Sequence, residues 1–374
     1  VSWAVWITGL PGSGKSTIAR AAAELAARGR RPLVLELDAL RRLLTPEPTY
    51  SAPEREVVYR SLVAMAAALV DAGVPVIIDA TGHRRAWRDQ ARARLARFAE
   101  VQVRCPPALC RARERARSAG HAPPGIYARA GRPGATVPGV DVAYEEALAP
   151  ELVVDTEIED PSTAAARIAR LVEAWPRASL PSAPGAGWVL WITGLPGSGN
   201  TTLAARAAEA LVRRGLPVRH LSWADFRDAV GPAGPRSEPE DEILHRALVV
   251  TAMLLADAGV HVIVDATAPR RRWRELARRL IPRFAEVQLR CPRATCAERE
   301  IRRRWSAPAA EAATPEIVLT YEEALTPELT LDTDARDVEV CVQEIVRLAW
   351  RLERGAVRGA RAPDAGGLGA PGHS

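Results

Sequence analysis

At 374 residues the chain exceeds what one hydrophobic core usually organises, so two domains of ordinary size are expected. Hydrophobic residues make up 48% and charged residues 26%, a globular balance that excludes an intrinsically disordered chain. The formal charge of +6 comes from arginines spread along helical segments beside many acidic residues. That balance suits a solvated surface or an anionic small substrate and nominates neither nucleic acid nor a membrane. Five cysteines, with no apolar run near the eighteen or so residues a membrane span needs, are expected of a cytoplasmic protein with free thiols.

In chain order, the apolar run WAVWIT leads into a glycine loop, and an Ala-rich helix is expected over 16–28. The strand PLVLEL follows, then a helix with Val58, Leu62, Met65 and Leu69 on one face. Next come the strand VPVIIDA, a helix over 84–98, the strand EVQVR, a helix through Cys110, an irregular Gly/Pro segment, the short strand LVVD and a last helix. Strands alternating with helices predict an α/β fold with a doubly wound, mostly parallel sheet covered on both faces.

The whole pattern occurs twice. Gly9 recurs as Gly194, 185 residues on, and Asp79, Cys105 and Cys110 recur 186 residues on as Asp265, Cys291 and Cys296. Beyond them the offset falls to 177, pairing Tyr144 with Tyr321 and Asp155 with Asp332, so the second copy has lost nine residues. A repeat this long is a duplicated domain. The expected organisation is a first domain over 1–175, a linker over 176–187, a second domain over 188–352 and a disordered tail over 353–374.

GLPGSGKST, Gly9 to Thr17, lies between a buried strand and a helix, the context in which a phosphate-loop match is credible. Backbone N–H groups of Gly9, Leu10, Pro11's neighbours, Gly12, Ser13, Gly14 and Thr17 can wrap phosphates. Lys15 reaches the β- and γ-phosphates of ATP, and Ser16 can hold Mg²⁺. Asp79, at the end of a strand, is placed either to meet the metal or to cap a helix. Glu36 and Asp38 leave another strand at alternate positions with Arg41 a turn later, which suits a general base, a metal contact and an anion contact. The cysteines have no His/Cys cluster to complete a metal site and read as buried structural thiols.

Together these residues resemble the adenylyl-sulfate kinase family, P-loop NTPase-fold enzymes that phosphorylate the 3′-hydroxyl of adenylyl sulfate. The most specific likeness is VPGVDVAYEEALAPELVVDT, Val137 to Thr156. The resemblance implies that Asp38 and Glu36 join Lys15 in catalysis and that Arg41 and Arg55 hold the sulfate-phosphate end of the acceptor. It also implies that Tyr50 packs on the acceptor's adenine, that Val137 stands where the family has a stacking phenylalanine, and that Arg113 lies near the ATP base. GIYARAG, Gly125 to Gly131, resembles a mobile lid. Val58 replaces an asparagine of the family pattern and Gly82 replaces a serine. A P-loop kinase for another small hydroxyl acceptor and a noncatalytic nucleotide-binding interaction protein remain open readings.

In the second copy Asn200 replaces Lys15, removing the ammonium that a phosphoryl-transfer site uses. LSWADFRDAV is expected to place Trp223 near the Asp38 position, with Asp225 and Arg227 out of register and no counterpart of Arg41. The nine-residue loss is expected to remove the lid. Thr201, Asp265 and the loop glycines remain, so weak nucleotide binding stays open and this copy reads as a degenerate kinase domain with a structural, regulatory or packing role; packing of the two halves on each other and a homodimer both remain open.

Overall fold

The structure, a computed structural model, describes residues 2–27, 31–117, 120–175, 186–231, 237–305 and 320–355. The expected linker and tail fall almost wholly outside the described residues. By contacts the chain forms two compact units, Val1–Pro181 with Phe226–Thr251, and Ser182–Asp225 with Ala252–Ser374.

In the first copy the elements run β1 (Ala4–Gly9), α1 (Lys15–Leu25), β2 (Leu33–Glu36), α2 (Leu37–Leu44), α3 (Ala52–Asp71), β3 (Val76–Asp79), α4 (Arg85–Arg94), β4 (Phe98–Arg104), α5 (Pro107–Ala116), β5 (Leu152–Asp155) and α6 (Pro161–Glu173). The five strands form a parallel sheet in the order β2-β3-β1-β4-β5. Both faces are covered, so Val5, Trp6 and Ile7 on the central strand are all fully buried, as continuous apolar runs in parallel sheets require. Burying each such side chain is worth about 1.5–3 kcal/mol. Strand order reverses about β1, so the loop leaving β1 opens at the crevice where ligands of open α/β sheets bind.

Caps fix the helices that flank this crevice. Ser51 caps α3 by accepting from the Glu54 N–H, with Pro53 in the first turn, and Asp160 caps α6 by accepting from the Ser162 and Thr163 N–H groups. Helix α1 has no side-chain cap: Gly14 precedes it at φ +96°, leaving its first N–H groups to a ligand.

The second copy repeats the plan as β6 (Val189–Thr193), α7 (Asn200–Arg213), β7 (Val218–Ser222), α8 (Trp223–Val230), α9 (Glu238–Asp257), β8 (His261–Asp265), α10 (Arg271–Leu280), β9 (Phe284–Arg290), α11 (Arg293–Trp305), β10 (Leu329–Asp332) and α12 (Val338–Glu353). Its parallel sheet runs β10-β9-β6-β8-β7, the same order read from the opposite edge. The expected doubly wound fold is present in both copies.

Several boundaries differ from expectation: the helix expected over 16–28 ends at Leu25. The helix predicted over 84–98 stops at Arg94, because Leu95 is extended and Phe98 and Ala99 pair with Ala4 and Val5 as the start of β4. Leu37, predicted as strand, opens α2, where its side chain is buried. All five cysteines are free; Cys110, Cys296 and Cys341 are buried, while Cys105 and Cys291 are half-buried. Among the described residues no helix is long and apolar enough to cross a membrane.

Candidate active site

The loop after β1 turns tightly, with the Ser13 N–H donating to the Leu10 carbonyl at 3.1 Å. Gly12 sits at φ +79°, and a Cβ there would lie 2.3 Å from the Cys110 carbonyl oxygen, so helix α5 can approach only a glycine. The loop borders a cavity of about 620 Å³. Pro11, Gly12, Gly14, Lys15, Ser16, Thr17, Glu36, Asp38, Arg41, Tyr50, Arg55, Asp79, Arg113 and Val137 all line it. Of the sequence-predicted site residues, Gly9, Leu10 and Ser13 do not. Gly9 ends β1 against Val103, and Leu10 contributes its carbonyl, which accepts from Lys15 Nζ at 2.9 Å.

Three ionisable groups share the phosphate end. Lys15 is nearly buried, and burial lowers its pKa against the opposing charges of Asp79 and Asp38. Burial likewise raises Asp38, with Lys15 and Arg41 pulling the other way. Asp79 is pushed up to about 6 by burial, again against Lys15 and a hydrogen bond from Ser16. Its Oδ2 is buried with no hydrogen-bond partner. An orphaned carboxylate oxygen beside the Ser16 hydroxyl fits a hard cation, because Mg²⁺ takes one or two protein oxygens and completes its shell with phosphate and water.

The other end of the cavity is aromatic and basic. Arg41 Nη1 donates to Glu54 at 2.9 Å, and its guanidinium lies 5.0 Å from the Tyr50 ring centroid. Arg55 donates to the Thr136 carbonyl at 2.9 Å and to the Thr136 hydroxyl at 2.7 Å, next to Val137. Tyr59 and His83 also line this end and were missed from the sequence, although Tyr59 follows Arg55 by one helical turn on α3. The Tyr59 ring stacks on Trp87 at 3.9 Å between centroids, and its hydroxyl accepts from the Gly82 N–H at 3.1 Å. His83 packs edge-on against Trp87, and burial, helped by Arg55 and Arg84, lowers its pKa to about 4.

Arg117 and the segment 120–138 line the phosphate-loop side of the cavity. Tyr127, within GIYARAG, donates to the Pro11 carbonyl of the loop at 2.8 Å. His121 Nδ1 lies 3.1 Å from Glu36 Oε1, and Arg20 lies 3.4 Å from Glu36 Oε2, so Glu36 faces the covering segment and α1. Arg113 donates to the Thr156 hydroxyl and carbonyl at 3.0 and 2.8 Å, while Thr156 donates to the Ser13 carbonyl at 3.0 Å. The specific C-terminal run is thereby tied to the phosphate loop.

In the second copy this scaffold persists: Thr333 donates to the Ser198 carbonyl at 2.9 Å and Arg299 to the Thr333 carbonyl at 2.9 Å. The chemistry does not. Asn200 Nδ2 donates to the Gly194 carbonyl at 3.1 Å. Asp265 Oδ1 accepts from the Trp223 N–H at 3.2 Å and lies 3.3 Å from His220 Nε2. Strand register corrects the sequence reading here. Ser222 pairs with Asp265 as Glu36 pairs with Asp79, which places Ala224 at the Asp38 position and Arg227 at the Arg41 position. Arg41 thus has an in-register counterpart, and Asp38 is the group replaced. The region where the lid was expected to be lost, 306–319, lies outside the described residues.

Comparison with known proteins places these features in one family. The "Probable adenylyl-sulfate kinase" of Archaeoglobus fulgidus is 38% identical over 164 residues, covering 43% of this chain and 99% of that protein. The "Adenylyl-sulfate kinase" of Geotalea uraniireducens is 38% identical over 175 residues, covering 45% and 79%. Among solved structures, the Mycobacterium tuberculosis APS kinase CysC in complex with AMPPNP and APS is 28% identical over 44% of this chain and 98% of that one, at a TM-score of 0.39. The family profile for adenylylsulphate kinase matches residues 1–155 and again residues 186–332. With both copies matched, the chain belongs to the adenylylsulphate kinase family and is a kinase.

Proposed function

We propose that the first copy transfers the γ-phosphoryl group of ATP to the 3′-hydroxyl of adenylyl sulfate, giving ADP and 3′-phosphoadenylyl sulfate. The observation that carries this reading is the single cavity that joins Lys15, Asp38 and Asp79 at one end to Arg41, Tyr50, Arg55 and Val137 at the other. Loop N–H groups and the start of α1 bind the phosphates, and Lys15 balances the charge that develops on them. Asp38, whose proton affinity burial has raised, takes the proton of the 3′-hydroxyl as the new O–P bond forms and the bond to ADP breaks. Arg41 and Arg55 orient the acceptor's anionic end, and Tyr50 supports its ring. Asp79 and Ser16 would hold Mg²⁺, which supplies further charge neutralisation on the phosphates. Closure of 120–138 over the loop excludes water from the reacting phosphate.

A second reading, transfer to another small hydroxyl acceptor, is favoured by Val137, which offers no aromatic face where the family has phenylalanine. In either case the second copy is noncatalytic, since neither an ammonium at 200 nor a carboxylate at 224 is present. Incubating the full chain with MgATP and adenylyl sulfate, or with a panel of small alcohols, and identifying the phosphorylated product by mass spectrometry separates the readings. A product phosphorylated at the 3′ position of adenylyl sulfate supports the first. Phosphorylation of another acceptor alone replaces it with the second.

A further inference from the structure

Arg41 and Tyr50 are held together by Glu54, a residue without an assigned role. Its carboxylate is about nine-tenths buried and filled by four donors. Oε1 accepts from Arg41 Nη1 at 2.9 Å and from the Tyr50 N–H at 3.3 Å, and Oε2 accepts from the Thr49 N–H and hydroxyl, both at 2.6 Å. Tyr50 is held at φ +54°, a left-handed conformation rare for an aromatic residue, and its ring lies beside the Arg41 guanidinium. Burial alone would raise the Glu54 pKa. The Thr49 hydroxyl and N–H, with Arg41, outweigh it and keep the carboxylate ionised below its ordinary range.

The second copy supplies an internal comparison. Its Arg227 and Glu240 occupy the Arg41 and Glu54 positions, yet each has a local partner: Asp228 at 3.3 Å for the arginine, and the Ser237 N–H and hydroxyl at 2.8 and 3.0 Å for the glutamate. The carboxylate bridges arginine and loop in the copy that carries Lys15.

We propose that Glu54 is a positioning residue for the acceptor, its carboxylate locking Arg41 and the left-handed Tyr50 into one unit that presents a cation and a ring to the substrate. The inference rests on the reading of Arg41 and Tyr50 as acceptor contacts. Replacing one carboxylate oxygen with an amide would set an NH₂ group against a donor of Arg41, Thr49 or Tyr50, releasing part of the unit.

The test is steady-state kinetics of the full chain with MgATP and adenylyl sulfate for wild type, Glu54→Gln, Tyr50→Ala and the double variant. Glu54→Gln is expected to raise the acceptor KM about tenfold or more, with kcat and the ATP KM within about twofold of wild type. The double variant is expected to resemble Tyr50→Ala, because both changes disable one unit. Equal losses in kcat and in both KM values, or fully additive effects, would overturn the inference. If wild type shows no turnover with adenylyl sulfate, the substrate reading fails, and hydrogen exchange then decides the inference. Loss of amide protection in Glu54→Gln confined to 45–55 supports it, and unchanged protection there overturns it.

Discussion

Restoring the missing lysine should not restore the second site. In a Lys15→Ala background, Asn200→Lys returns an ammonium to a loop whose backbone already matches the first, with Gly197 and Gly199 at φ +82° and +100°. Two further losses remain. Ala224 stands at the Asp38 position, so no carboxylate takes the acceptor proton, and a positioned general base is worth about 10²–10⁴ in rate. Asp265 is also engaged by the Trp223 N–H and His220, and freeing it for a cation sacrifices contacts of roughly 1.5–3 kcal/mol for a hydrogen bond to a charged group. Turnover of the Lys15→Ala/Asn200→Lys chain, read as ADP release with MgATP and adenylyl sulfate, is therefore expected to stay below about 1% of wild type. Recovery above about a tenth of wild-type turnover would refute this reasoning, because lysine loss would then be the sole defect.

Two other outcomes follow from the acceptor end. Val137→Phe, which supplies the family's aromatic face, should lower the KM for adenylyl sulfate about fivefold or more if base stacking contributes roughly 1–3 kcal/mol, and an unchanged KM would remove Val137 from the acceptor contacts. His83 makes stability pH-dependent: the unfolded chain binds its proton near the ordinary value of 6.5 and the folded chain only near 4. Between those values the unfolded state holds more protons, so stability falls as pH drops through that window. Urea unfolding of wild type and His83→Gln at pH 7 and pH 4.5 checks it, with the variant expected to lose less.

The fold was legible because glycine spacing, strand runs and the long repeat all depend on neighbouring residues or on a fixed offset. Lys15, Ser16, Asp38 and Asp79 were legible as candidates for the same reason: each lies in the first turn of a helix or at the strand end that the pattern marks, and all four line the cavity. The end of α4 was not, since the apolar Leu95 and Phe98 fit a helix face as well as a strand until β1 offers Phe98 a partner. Nor was the second-copy register, which Ser222 and Asp265 settle only by pairing across strands. The cluster in which Trp87 backs Tyr59 and His83 arises where α3 and α4 meet the loop at Gly82, and no local spacing records that meeting. Glu54 was hidden likewise, as its partners come from α2 and from the turn before its own helix.

The most direct test of a single active site in the first copy is ADP release by the full chain with MgATP, with and without adenylyl sulfate, for wild type and Lys15→Ala. Strong stimulation by adenylyl sulfate in wild type, lost by a factor of about 10² or more in Lys15→Ala, is the expected result. Turnover that adenylyl sulfate leaves unchanged, or that survives in Lys15→Ala, would contradict the account.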